Sequence, residues 1–491
     1  MVYYGAVSKG CQRCRQRKIK CDQRKPECTR CHKSGLPCPG YRDLNEVIFR
    51  DESSRIIRIS HKGEVKEKVS VLPGGDASAA RSLSPSATNS LPATLSTPAD
   101  EVGANFFFAK YVFHQDPFST SSGYQDWLAT AYRHNDRRCA PLRAAIEAAG
   151  LAGLSNINPS LQLSIRSKQQ YRDALTAVKE ALSNRSQAAD DATLMAVILL
   201  GLYEMINFDT WDRYHNWTTH IQGATALLDL RGQEQFTRER GGQLYVQIRP
   251  QILLACMKQR VTVPPALVTA TYNFQSSGIR EQLHQPETRS PASVCEISFR
   301  VVNLRAAVKN GTLNQEIILA RALDIEADLR TWREGLPSAW EYATSDDKTG
   351  FSGKRQEYGS LSMAKVWNNW RTLCILVGRI LVQNEACEVD VKAATLKWMH
   401  ELMAEVCISA SSFGEDAFAL SLVQPLHIVA IQTLAPLDTR QFAVNKLRSI
   451  GTSTGVRIAV LLANDVAKSL EEHCYEGQEL VSFAMDKVPL H

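Results

Sequence analysis

The chain has 491 residues, enough for roughly two to four domains of ordinary size. Its 44% hydrophobic and 22% charged residues suit a protein with a sizeable buried core and exclude disorder over most of the length. The formal charge of +6, from 57 basic against 51 acidic residues, is concentrated at one end.

Residues 1–42 form a basic, cysteine-rich head. Between positions 9 and 42 lie eleven basic side chains (Lys9, Arg13, Arg15, Arg17, Lys18, Lys20, Arg24, Lys25, Arg30, Lys33 and Arg42) against Asp22 and Glu27, a local charge of +9. The remainder of the chain is at −3, so a polyanionic partner is expected for the head alone. Six of the thirteen cysteines fall in the 28 residues from Cys11 to Cys38; the other seven are scattered without paired spacing. The odd total excludes a fully paired set of intramolecular disulfides. With no apolar h-region before Gly10, a reducing compartment is expected.

The six cysteines are spaced Cys11-x2-Cys14-x6-Cys21-x6-Cys28-x2-Cys31-x6-Cys38, one Cys-x2-Cys-x6-Cys unit repeated after six residues. Zinc prefers four thiolates in a tetrahedron, and Cys-x2-Cys puts two of them on one side of a turn or short helix. Two such ions need eight ligand positions from six sulfurs, so two cysteines must each bridge both ions. The symmetry of the repeat points to Cys11 and Cys28. His32 is not needed as a ligand and is expected to face solvent or phosphate. With Ile19 and Leu36 as its chief large apolar side chains, the head cannot build a core, and folding and metal binding should be one event. Two zinc ions and six thiolates leave the head at about +7.

The segment Arg15-Gln16-Arg17-Lys18-Ile19-Lys20 is free of Gly and Pro and reads as a short helix. A helix fits the major groove of DNA, where guanine presents O6 and N7 to a donor such as Lys18, while helix-terminal carbonyls can accept from cytosine.

This spacing, together with Arg15, Lys18, Lys20 and Pro26, resembles the fungal zinc binuclear-cluster transcription factors over residues 9–42. The resemblance implies bridging by the first and fourth cysteines and readout of CGG triplets in double-stranded DNA, with Lys18 at the base-reading position. It implies phosphate contacts for Arg15 and Lys20, and a mixed backbone and phosphate contact for Arg17, where many members have lysine. Pro26 resembles the proline that fixes the turn between the two halves. The cluster Arg13 to Lys20 can also act as a nuclear import signal, and the nucleus is the expected address.

Residues 43–100 read as a flexible linker. In 43–70, Leu44, Val47, Ile48, Ile56, Ile57 and Ile59 do not sustain a heptad, so the coiled coil common after the cluster in this family is not expected. Two arrangements remain: binding to a single triplet, or a homodimer formed through the downstream body. In 71–100, twenty-one of thirty residues are Ser, Pro, Gly, Ala or Thr and none is aromatic, so this segment is expected to be disordered. Such a tether spans roughly 30 Å root-mean-square.

Residues 101–491 read as an all-α body. Pro141 opens a run of Leu142, Ala145, Ile146 and Ala149 at helical steps. Met363, Val366, Trp367, Trp370, Leu373, Cys374, Val377 and Leu381 form the clearest stripe. Similar periodicity marks 164–182, 191–206, 215–229, 316–334, 391–409 and 454–474. The stretches 231–242 and 343–360 read as loops, and Pro425 should start or kink a helix. The eight tryptophans, all between Trp127 and Trp398, are expected in the core. The longest apolar stretch, Leu194 to Tyr203, is about half a membrane span.

The body resembles, in organisation, the helical regulatory domain downstream of the cluster in many of these factors, which implies control by a small molecule or a partner protein. G-x-x-x-x-G-K-[ST], G-x-G-x-x-G and H-E-x-x-H are absent, so no enzyme is expected. The expected architecture is a small zinc-organised binuclear-cluster domain and a large all-α domain joined by a disordered linker. The expected role is a DNA-binding transcription regulator with two zinc ions. The alternative is an adaptor that binds nucleic acid loosely and uses the body as a protein scaffold.

Overall fold

The structure is a computed structural model. It describes residues 11, 13, 14, 17, 19–22, 24, 28–35 and 38 of the head, then 98–112, 126–134, 136–283, 291–415 and 417–476. The segment 43–97, which contains almost all of the expected linker, lies outside the described residues, as do Arg15, Lys18 and Pro26. Two compact units divide the chain, Met1–Leu91 and Pro92–His491.

In the second unit, helix follows helix. The first half contains α2 (Ala99–Lys110), α3 (Asp126–Arg133), α4 (Ala140–Ile157), α5 (Leu161–Leu182), α6 (Arg185–Ala188), α7 (Asp191–Ile206) and α8 (Tyr214–Arg231). It continues with α9 (Glu239–Gln259), α10 (Pro265–Gln275) and α11 (Ile279–Leu283). The second half contains α12 (Pro291–Lys309), α13 (Gln315–Glu334), α14 (Leu361–Gln383), α15 (Val389–Ser409), α16 (Val423–Ala430), α17 (Leu437–Thr454) and α18 (Arg457–Glu476). Their starts are marked in the sequence. The hydroxyls of Ser160 and Ser360 and the side-chain oxygen of Asn314 accept hydrogen bonds from the backbone N–H groups of Leu163, Met363 and Ile317, satisfying donors that the helix itself leaves open.

Two hydrophobic cores fill the body. The first gathers Phe107, Leu142, Ile146, Leu194, Ile198, Trp217, Leu228, Tyr245, Ile252 and Phe274. The second gathers Leu329, Trp332, Trp367, Trp370, Leu376, Met403, Val406, Leu426 and Leu447. Trp370 is fully buried, its indole N–H donating to the Leu329 carbonyl at 2.8 Å. The other tryptophans are buried or packed against the cores. The cores meet along α12, where Val302 faces the first and its neighbour Val301 the second. Residues from the far end of the chain, Val456, Ile458 and Leu462, return to complete the first core.

Three local expectations change. The helix read at 454–474 starts later: α17 ends at Gly455, whose φ of 75° is open to glycine at little cost, and α18 covers Arg457–Glu476. The stretch 343–360 contains an antiparallel hairpin, β1 (Ala343–Asp346) against β2 (Lys354–Glu357), with Ala343 opposite Glu357 and Asp346 opposite Lys354. Only Gln356 of these strands is buried; its side-chain oxygen accepts from the fully buried Arg371 at 3.2 Å, and its carbonyl accepts from the Ser412 hydroxyl. The glycine-rich 231–242 folds into a 3-10 turn, Gln233–Thr237, and the first turn of α9. Pro425 stands in the first turn of α16, where its missing N–H costs least.

Helices α2 and α4 cross in close contact. A Cβ at Gly150 would lie 1.8 Å from the Gly103 carbonyl oxygen, so the two backbones touch through glycine. Gly150→Ala should force the helices apart and destabilise the full chain by about 1–3 kcal/mol, measured by urea unfolding followed by circular dichroism. A change within error would show that the crossing relaxes freely.

Candidate metal centre and nucleic-acid interface

The sequence repeat reappears in the head as two similar turns. In the second half, Cys28 precedes the short helix α1 (Thr29–Lys33), and its Sγ accepts from the Cys31 N–H at 3.4 Å. The Ser34 N–H closes that turn on the Arg30 carbonyl at 3.3 Å. In the first half, Arg13 and Cys14 are helical and the Arg17 N–H reaches the Arg13 carbonyl at 3.0 Å. The Ile19 N–H then bonds the Cys14 carbonyl five residues back, a wider closure of the kind that ends helices. The helical turn therefore begins before Arg15 and is over by Ile19, earlier than the 15–20 segment read from the sequence. The reason is the cysteine pair, which places its second sulfur in the first turn in both halves.

The six sulfurs converge. Cys11, Cys14, Cys28 and Cys31 are at most 1% exposed, Cys21 and Cys38 lie partly open, and none forms a disulfide. They form two overlapping groups of four, Cys11–Cys14–Cys21–Cys28 and Cys11–Cys28–Cys31–Cys38, each with all sulfurs within 4.8 Å of one another. The Sγ–Sγ separations are 3.7 Å for Cys11–Cys28, 3.7 Å for Cys11–Cys31 and 3.8 Å for Cys14–Cys28. Four sulfurs each about 2.3 Å from one zinc ion lie about 3.8 Å apart, so the cage has the size of a tetrahedral thiolate site. His32 is exposed and belongs to neither group.

Burial raises the thiols of Cys11, Cys14 and Cys31, Cys14 to about 12. Without a cation these sulfurs hold their protons; a divalent ion inverts that preference, and its entry releases protons.

A contact that the sequence reading missed joins the halves. Asp22, next to Cys21, accepts from the Thr29 backbone N–H at 3.1 Å and also from the Thr29 hydroxyl. These bonds, above all that of the Thr29 side chain, hold the Asp22 carboxyl below its ordinary range. The signal was present: a short acidic residue after one ligand and a threonine after the next at the start of a helix. Around the cage, Arg17, Lys20, Arg24, Arg30 and Lys33 are exposed and Arg13 is half-buried. Of the four expected DNA-contacting residues, Arg17 and Lys20 are exposed, and Arg15 and Lys18 lie outside the described residues.

Two overlapping four-sulfur cages inside a basic shell define a thiolate metal-cluster domain. Residues 9–46 match the Fungal Zn(2)-Cys(6) binuclear cluster domain, and residues 105–257 match the Fungal specific transcription factor domain. Thirty-two residues are 66% identical to Arginine metabolism regulation protein II of Saccharomyces cerevisiae, covering 6% of this chain and 4% of that protein. White-opaque regulator 2 of Candida albicans is 53% identical over 38 residues, 8% of each chain. The Zn(2)-C6 fungal-type transcription factor afumD of Aspergillus fumigatus is 59% identical over 29 residues, 6% of this chain and 8% of that one. The matches thus span only 4–8% of the length of these curated relatives. No solved structure matches the chain. Residues 9–46 thus resemble the cluster domain, and residues 105–257 the transcription factor domain, of fungal Zn(2)-Cys(6) regulators.

Removing the Asp22 carboxylate should loosen the cage without touching a sulfur. Asp22→Ala should speed transfer of zinc from the full chain to a chromophoric chelator, whereas Asp22→Asn, which keeps an acceptor oxygen, should restore most of the retention. Equal transfer rates for all three proteins would rule out this role.

Proposed function

We propose that the protein is a zinc-dependent, sequence-specific DNA-binding transcription factor of the RNA polymerase II type, reading CGG-like triplets through the major groove. The observation that carries the reading is the pair of four-sulfur cages sharing Cys11 and Cys28 in a segment of charge +9. Cys11, Cys14, Cys21, Cys28, Cys31 and Cys38 hold two Zn2+ ions, with Cys11 and Cys28 bridging. Each structural zinc contributes on the order of 10–16 kcal/mol of folding free energy, which this nearly coreless segment requires.

Around that frame, Lys18 donates to guanine O6 or N7, Arg15 and Lys20 hold phosphates, and Arg17 contacts the backbone. Residues 1–42 form the DNA-binding domain, 43–100 the linker and 101–491 the regulatory body, which receives a small-molecule or protein signal. The family resemblance supports a nuclear, non-enzymatic role. Among the described residues, no helix is long and apolar enough to cross a membrane. Because the sequence of residues 43–70 sustains no heptad, the protein binds a single triplet or a second copy joins through the body.

Plasma mass spectrometry of the purified full chain should return two zinc equivalents; one or none overturns the binuclear site. Lys18→Ala should cost about 1–3 kcal/mol of discrimination at the triplet, while Arg15→Ala should weaken all duplexes alike and reduce the salt slope by about one. Binding to CGG-containing over scrambled duplexes by ~10³ or more marks a sequence-specific regulator. A ratio near unity would favour the adaptor reading.

A further inference from the structure

Helix α5 wears its apolar side chains on the outside. It packs on α4 and α7, and its buried residues are Ser167, Gln170, Ala174, Val178 and Ala181. The Ser167 hydroxyl donates to the Ala148 carbonyl of α4 at 2.9 Å. All of these but Val178 are small or polar. The larger apolar residues face water: Leu161 is 77% exposed, Ile165 49%, Leu175 37% and Leu182 48%. An ordinary surface helix buries such side chains against the core and shows its charges to solvent. Single exposed leucines need no explanation, but four aligned on one helix face form an uncovered stripe.

The spacing of the stripe is regular. Positions 161, 165, 168, 172, 175, 179 and 182 advance by alternating steps of four and three, the repeat of a coiled-coil seam, and every one of them is exposed. Lys168, Arg172 and Lys179 fill the places between the apolar residues. Among the described residues none of these three forms an ion pair, and Arg172 Nε turns back to donate to the Lys168 carbonyl at 3.3 Å. Arginines elsewhere on the surface find carboxylates: Arg166 meets Asp100, and Arg330 meets Glu326. Ser160 caps the first turn of α5, so the seam is presented on a preformed helix about 30 Å long.

We propose that this face of α5 docks an acidic amphipathic helix of a partner protein. Leucine-like residues of the partner cover Leu161, Ile165, Leu175 and Leu182, and its Asp or Glu side chains meet Lys168, Arg172 and Lys179. The occupant follows from the charges. Two parallel copies of α5 would set each cation against itself. Two antiparallel copies would set Arg172 against Arg172 and the lysines against Ile165 and Leu175. Like charges juxtaposed in this way cost several kcal/mol. A nucleic-acid backbone would pair the cations and leave the four apolar side chains bare, whereas an acidic amphipathic helix satisfies both sets. The proposal rests on the signal-receiving role of the body and gives that role a partner class. Its test reads neither zinc nor DNA, so its failure leaves the metal and duplex measurements standing.

The test titrates the full chain into a fluorescent helical peptide of three heptads, with leucine opposite the apolar positions and glutamate opposite the cations. A saturable rise in anisotropy is expected, and the same peptide with lysine in place of glutamate should bind about tenfold more weakly or worse. Leu175→Ser, at an exposed position, should weaken the glutamate peptide about tenfold or more. Combining Lys168→Glu, Arg172→Glu and Lys179→Glu should reverse the preference, so that the lysine peptide binds and the glutamate peptide does not, a gain that an unfolded variant could not show. No saturable anisotropy with the glutamate peptide overturns the proposal, as does equal affinity for the two peptides or a charge reversal that leaves the preference unchanged. Flotation of the native chain with phosphatidylserine vesicles that Leu175→Ser abolishes would make the face a membrane contact. Self-association abolished by the same variant would make it a homodimer seam. Either result overturns the proposal as well.

Discussion

Six sulfurs within a few ångströms of one another set the terms for the whole N-terminal segment. As thiols they crowd without bonding; as thiolates they repel unless a divalent cation lies among them. Beyond local bonds such as Asp22–Thr29, the described residues of the head have little else to hold them: the buried positions are cysteines, and the largest described apolar side chain, Ile19, is 43% exposed. Everything the head presents to a partner follows from that cage. The short turns after Cys11 and Cys28 exist because the paired sulfurs need them, and the basic residues are displayed outward because the sulfurs occupy the inside.

The body is organised by a different rule. Its helices are held by apolar burial, and some of its buried charged groups are satisfied by neighbouring side chains. Arg371 is fully buried yet engages Glu405, Tyr358, Asn368 and Gln356, which anchors the hairpin to α14 and α15. Asp191 is matched by Arg231 at 2.7 Å. Such pairs remove most of the cost of burying charge, although they add little net stability.

The sequence made the site more legible than the fold. Six cysteines in a doubled unit fix both cages, because ligand number and tetrahedral geometry leave few alternatives. The stripe through Trp367, Trp370, Cys374 and Leu381 announces α14 for a similar reason: one face is apolar at every turn. By contrast α9 is hidden by Pro250 in its interior and by its polar Gln243, Gln247, Arg249 and Gln251. The hairpin is hidden because its strands, Ala-Thr-Ser-Asp and Lys-Arg-Gln-Glu, carry no alternation of apolar side chains and are kept in place by Gln356. Asp22 was counted only as a charge, when its position beside Cys21 made it a cap.

The way the first core closes bears on what counts as a module in this chain. The matched segment 105–257 stops at Met257, yet the core it contributes to also takes Leu267, Phe274, Val302, Val456, Ile458 and Leu462. Excised at its homology boundaries, that segment would bare the apolar surface which these later residues cover. Evolutionary recurrence and autonomous folding thus have different borders here, and residues translated long after the matched segment seal a layer laid down within it.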